Sequence, residues 1–201
     1  MFIQTIVSAA TARATPRLIP SSDLLPTHQE HYWLSEYLSG LPGDGDMPDW
    51  QDIRPENFHH SVFPSLVLFD VVESEDGTAA DFVYRVMGEK LIEFSRVNMT
   101  GKPLSKFPFL NIRRSVTALA RRAHESYRPV FSSTKARFDY ERSLLTERSF
   151  YPIRRNGRIC ILALITVTKP PIPFATLFST STRPPSEIES FRVLEAPHAW
   201  V

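Results

Sequence analysis

Between Asp81 and Met87 the chain alternates with period two, placing Phe82, Tyr84 and Val86 on one face and Val83, Arg85 and Met87 on the other, which predicts a half-buried strand. Gly88 ends the alternation, and across Glu89 to Ser95 the apolar residues Leu91, Ile92 and Phe94 gather on one side, the spacing of a short helix. A Thr100-Gly101 turn then leads to Leu104. A helix laid across a strand through such residues walls one side of an enclosed apolar space. Phe82, Tyr84, Leu91, Phe94 and Phe138 are therefore the candidate ligand-binding residues.

The same pattern organises the flanks. Thr27 and Glu30 fit a capping box, and Trp33, Leu34, Tyr37, Leu38 and Leu41 follow at helical spacing up to a stop at Gly40. Asp52 is placed to cap a short helix or turn over Arg54 to His60. Ser65 to Glu73 is apolar on both faces apart from Asp70, as in a central strand covered on both sides, and Asp76-Gly77 predicts a hairpin to the Asp81 strand. Pro108 opens a longer helix with an Ile112, Val116, Leu119, Ala123 stripe. Val130–Tyr140, Leu144–Ile153 and Arg158–Thr168 read as strands, the last two joined by an Asn156-Gly157 hairpin turn. Strands, then helices, then strands is an α+β order. After Pro170, Pro171 and Pro173 a second capping box, Ser186 with Glu189, precedes Ile188, Phe191 and Leu194, which share a helical face before Pro197.

Composition narrows the classes of function. With 201 residues, 42% of them hydrophobic, and a net charge of +1, the chain is large enough to bury a core and carries no general attraction to nucleic acid or anionic membranes. Cys160 is the only cysteine, so no internal disulfide forms, and no apolar run approaches the roughly 20 residues that span a bilayer. A cytoplasmic location is expected. Residues 1–26, alanine-rich and basic with no acid before Asp23, are read as a flexible leader whose composition also occurs in transit peptides. The domain is expected over 27–169, with 170–201 a Pro-rich extension carrying a short helix.

Trp33, the Asp52-Ile53-Arg54-Pro55 segment, Leu68-Phe69-Asp70-Val71, Tyr84-Arg85-Val86-Met87-Gly88 with Leu91, Thr100-Gly101 with Leu104, Arg128-Pro129, and Pro152 followed by Asn156-Gly157 form an ordered set. In this set the chain resembles the bacterial stand-alone single-PAS-domain proteins of the PAS-fold sensor superfamily, from about Gln29 to Lys169. The resemblance implies a PAS-like five-stranded antiparallel sheet with helices on one face and an extra N-terminal helix. It also implies association through flanking helices, which makes Trp33, Tyr37 and Leu41 the candidate partner or dimer interface. Arg96 stands where such relatives often carry glycine.

Candidate chemistry is sparse. His28 and His31 are three apart on the first predicted helix, but with no CxxC, no HExxH and no third ligand at defined spacing they read as solvated helix-cap histidines, and no metal site is predicted. Cys160, in an apolar strand, reads as a small hydrophobe. No GxxxxGKS/T, GxGxxG or GxSxG occurs, and the arginine pairs Arg113-Arg114, Arg121-Arg122 and Arg154-Arg155 read as a solvated basic face. No catalytic residue is predicted. The reading is a sensory or regulatory PAS module that is not an enzyme, binds a small molecule of unknown identity or a protein partner, forms a homodimer and signals in trans. The alternative is a small-molecule enzyme or carrier on the same scaffold.

Overall fold

The computed structural model describes residues 3–7, 26–42, 47–137, 143–168 and 187–195. It is an α+β arrangement built on one antiparallel sheet. The strands are β1 Ile3–Val7, β2 Leu66–Glu73, β3 Ala79–Met87, β4 Val130–Arg137, β5 Ser143–Arg155, β6 Arg158–Val167 and β7 Glu187–Glu195, and the helices are α1 Gln29–Ser39, α2 Glu89–Ser95 and α3 Leu110–Ser126. Short 3₁₀ turns occupy Pro55–Asn57, Phe63–Ser65 and Leu104–Lys106. The sheet order is β1-β7-β4-β5-β6-β2-β3. Its five strands β4-β5-β6-β2-β3 form the expected PAS-like sheet, with α2 and α3 on one face and the additional N-terminal helix α1 on the other.

Two strands extend that sheet beyond expectation. Glu187–Glu195 is a strand and not a helix: it pairs antiparallel with β4, as Ser132 with Val193 and Thr134 with Phe191, and β1 pairs with it in turn. A nine-residue run with Phe191, Arg192 and Val193 alternating fits both periods, and the unpaired edge of β4 decides in favour of strand. Ile3–Val7, inside the segment read as a leader, is likewise a sheet strand.

Each face of the central strands has its own core. Val67, Phe69, Phe82, Tyr84, Phe150, Ile161 and Ala163 meet Leu91 of α2, Leu104, Phe107, and Val116, Leu119, Ala120 and Ala123 of α3. On the opposite face Leu66, Leu68, Tyr151, Ile153, Cys160, Leu162 and Leu164 lie under Leu34 and Leu38 of α1 and under Ile53 and Val62. Double coverage explains why β6 is almost continuously apolar. Gly77 at φ 79° turns the β2–β3 hairpin, and Asn156 and Gly157, at φ 51° and 73°, supply the two left-handed residues that the β5–β6 turn needs.

The alternation predicted for β3 holds only as far as Tyr84. Phe69 pairs with Tyr84 and Leu68 with Val86, so Arg85 is an extra residue in a bulge. Beyond it the faces exchange: Val86 is exposed, whereas Met87 packs against the α2–α3 core.

Candidate functional site

Of the predicted ligand-binding residues, Phe82, Tyr84 and Leu91 come together, but as packed core. The Phe69 ring lies 4.6 Å from Tyr84 and 6.1 Å from Phe82, and Tyr84 stacks 6.4 Å from Phe107. Burial pushes the Tyr84 hydroxyl well above its ordinary range, so it stays protonated. Phe94 is half-buried on α2, and Phe138 lies outside the described residues.

Trp33, Tyr37 and Leu41 all pack against the α1 side of the domain. Trp33 stacks on Tyr37 at 5.3 Å with an interplanar angle of 6°, and both rings meet Phe58 edge-on. The Tyr37 hydroxyl accepts the Arg54 N–H at 2.8 Å, tying α1 to the segment before the first 3₁₀ turn.

The densest polar arrangement joins α1 to the sheet. The α1 residues facing the sheet are His31, Leu34 and Leu38, and His31 is only 1% exposed. Its Nδ1 lies 2.6 Å from Ser149 Oγ on β5 and its Nε2 lies 2.9 Å from Thr166 Oγ1 on β6. Phe131 of β4 closes the imidazole edge-on at 5.5 Å. Burial draws the His31 imidazole down to about 4, even with Glu147 nearby pulling it up, so the ring is neutral at neutral pH.

Beside it Glu147 of β5 does what a capping box would have done. The helix N-cap is His28, and no side chain of α1 caps it. Instead the Thr27 and His28 N–H groups donate to the Glu147 carboxylate at 2.7 and 3.0 Å, and His28 Nδ1 lies 2.6 Å from Glu147 Oε2. Burial alone would raise the Glu147 pKa, but these hydrogen bonds outweigh it and hold the carboxyl below its ordinary value. A carboxylate at a helix N-terminus also meets the favourable end of the helix dipole. His28 and His31 are thus docking groups and not solvated caps. Among the described residues no group of three or more His, Cys, Asp or Glu side chains could hold a metal ion.

Two further polar groups lie elsewhere on the sheet. Asp70 accepts from Arg85 Nε and, at 3.2 Å, from Arg155 Nη1, while Cys160 Sγ lies 3.5 Å from Asp70 Oδ1. Burial first and the Asp70 charge second push the Cys160 thiol up to about 11, which leaves it an unreactive thiol at neutral pH. On the α2–α3 face, Arg148 is 7% exposed and burial lowers its guanidinium to about 10.

Glu147, Arg148, Ser149 and Thr166 were not singled out from sequence. The available signal was Thr146-Glu147-Arg148-Ser149, four consecutive polar residues inside a strand flanked by Leu144, Leu145, Phe150 and Tyr151. A polar run inside a strand buried on both faces needs partners on both. Among the described residues no helix is long and apolar enough to cross a membrane. No family model matches the chain, and no curated protein or solved structure matches it either.

Proposed function

We propose that the chain is a sensory or regulatory module of PAS type that binds a small molecule between the sheet and α2–α3 and signals in trans by changing how α1 sits on the opposite face. The observation that carries the reading is the alternation of β5. Glu147 and Ser149 hold α1 by hydrogen bonds, whereas Arg148 and Phe150, their immediate neighbours in the chain, belong to the other face. A shift of β5 that accommodates a ligand on one face moves the acceptor and hydroxyl that hold the helix on the other. Ligand and helix would then bias the same two-state element, as coupling between sites requires.

The polar character of the α1 contact supports a reversible role. Hydrogen bonds through two histidines, two hydroxyls and one carboxylate demand a defined geometry and weaken when it changes, unlike aliphatic packing. A released α1 would present Leu34 and Leu38, together with the sheet residues beneath them, to a second copy or another protein.

Native mass spectrometry of the freshly purified full chain, paired with amide hydrogen exchange over residues 29–39, tests the proposal. The expected result is a non-covalent adduct, and faster exchange of α1 after its removal or slower exchange, in either case a measurable change. An adduct-free monomer whose α1 exchange is unchanged by denaturation, dialysis and refolding overturns it.

A further inference from the structure

Arg148 is a buried cation that meets no carboxylate among the described residues. It is 7% exposed, and among the described residues its guanidinium donates one hydrogen bond, from Nη1 to Thr134 Oγ1 at 3.1 Å, and pairs with no carboxylate. A guanidinium has five N–H donors in a planar fork, and burying it unpaired is strongly unfavourable. The register of β4 and β5 sets Ser132 directly opposite Arg148 and Thr134 opposite Thr146, so three hydroxyls share the guanidinium's face. Ser132 is fully buried, and among the described residues its Oγ has no hydrogen-bond partner. An unpartnered buried hydroxyl thus stands directly across the strand pair from a buried guanidinium for which the described residues supply one hydrogen bond. A buried hydroxyl of this kind calls for a partner, whether a water, an ion or a ligand.

We propose that Arg148, Ser132 and Thr134 form an internal binding site for the carboxylate of a small organic acid. The chemistry selects that class. The guanidinium fork matches the two oxygens of a carboxylate, and the Ser132 and Thr134 hydroxyls can each donate to one of them. One cation balances one negative charge, whereas a dianionic phosphate would leave net charge in the interior. The neighbours of the site on the same face, Val130 and Phe150, are buried core residues, so its surroundings are apolar. The inference deepens the proposed sensor function and rests on it: Arg148 is flanked in the chain by Glu147 and Ser149, the residues that hold α1.

Thermal unfolding of the full chain in sodium hexanoate, sodium benzoate, sodium phosphate and sodium chloride at equal ionic strength, with native mass spectrometry in parallel, tests the site. Hexanoate or benzoate should raise the midpoint of the wild type above its value in chloride. Arg148→Met should abolish that shift while folding normally, because it replaces an unpaired buried charge with an apolar chain of similar length. Ser132→Ala, which removes only a hydroxyl, should weaken the carboxylate about 10-fold and guards against an Arg148 variant that fails to fold. A shift in phosphate alone, or equal shifts in the wild type and in Ser132→Ala, overturns the carboxylate assignment. An adduct that Arg148→Met retains also overturns it while leaving the sensor reading standing, whereas the absence of any adduct or shift in every protein sinks both.

Discussion

A methyl group added at Gly88 would stand 2.3 Å from the carbonyl oxygen of Pro64 and 2.5 Å from its carbonyl carbon. The two backbones meet where β3 passes into α2, and the Gly88 N–H donates to the Leu66 carbonyl at 2.8 Å. Neither contacting atom belongs to a flexible side chain, so the clash has no inexpensive relief. Gly88→Ala is expected to lower stability by about 3 kcal/mol, at the upper end of what an inserted methyl costs in a packed site. Denaturant unfolding measures it, and a midpoint within error of the wild type would show that the close approach is not required.

At the other end of α2, Arg96 occupies the left-handed region at φ 58° and ψ 20° as the helix C-cap. A side chain with a Cβ is strained there, and glycine is not. Arg96→Gly should therefore stabilise the protein by about 1 kcal/mol, visible as a rise of a few degrees in Tm. This is the position where the resemblance leads one to expect glycine, and the chain adopts glycine's conformation without it.

The elements with a strong period were legible before the structure. β2 reads as doubly covered because its alternate residues enter both cores, Val67 and Phe69 on the α2–α3 side and Leu66 and Leu68 on the α1 side, and the α3 stripe of Val116, Leu119 and Ala123 is buried as its spacing demands. What was not legible depended on partners distant in the chain. The Thr27–Glu30 capping pattern is locally sound, yet the N-terminus of α1 is held by Glu147, 120 residues away from Thr27. Nothing near His31 discloses the hydroxyls of Ser149 and Thr166. The β3 bulge at Arg85 is likewise set by pairing with β2, and one extra residue reverses the faces of everything after it. The β7 strand was missed because its partner strand, not its own pattern, chooses its conformation.

Trp33 offers a test of how α1 is attached. The indole is half-buried between Tyr37 and Phe58, so Trp33→Ala should cost about 2 kcal/mol, less than the ~3–5 kcal/mol of a fully buried tryptophan. The loss should be the same at low and high protein concentration, because the ring packs within its own domain. A loss that grows on dilution would place the ring in an interface between copies instead.

The His31 and Glu147 pair makes the protein sensitive to acid in a defined window. His31 takes up its proton near pH 4 when folded and near 6.5 when unfolded, so between those values the unfolded chain binds a proton that the folded chain excludes. Stability then falls as the pH drops from 6.5 to about 4 and levels off below, by up to about 3 kcal/mol, since each unit of pKa difference is worth about 1.4 kcal/mol. Glu147 acts in the same sense: its folded pKa is lowered, so its contribution is present above 4.5 and disappears as the pH falls through the folded value. His28 and Glu30 are the other titratable groups acting on His31. Denaturant midpoints between pH 7.5 and 4.5 should show the decline, with α1 amides exchanging faster at the acid end. His31→Gln, which keeps a donor and an acceptor but cannot titrate, should flatten the upper part of the curve, from pH 6.5 to 5. A variant curve that still tracks the wild type there would assign the acid sensitivity to Glu147 or to another group, and would mean that the His31 imidazole is not what acid dislodges from Ser149 and Thr166.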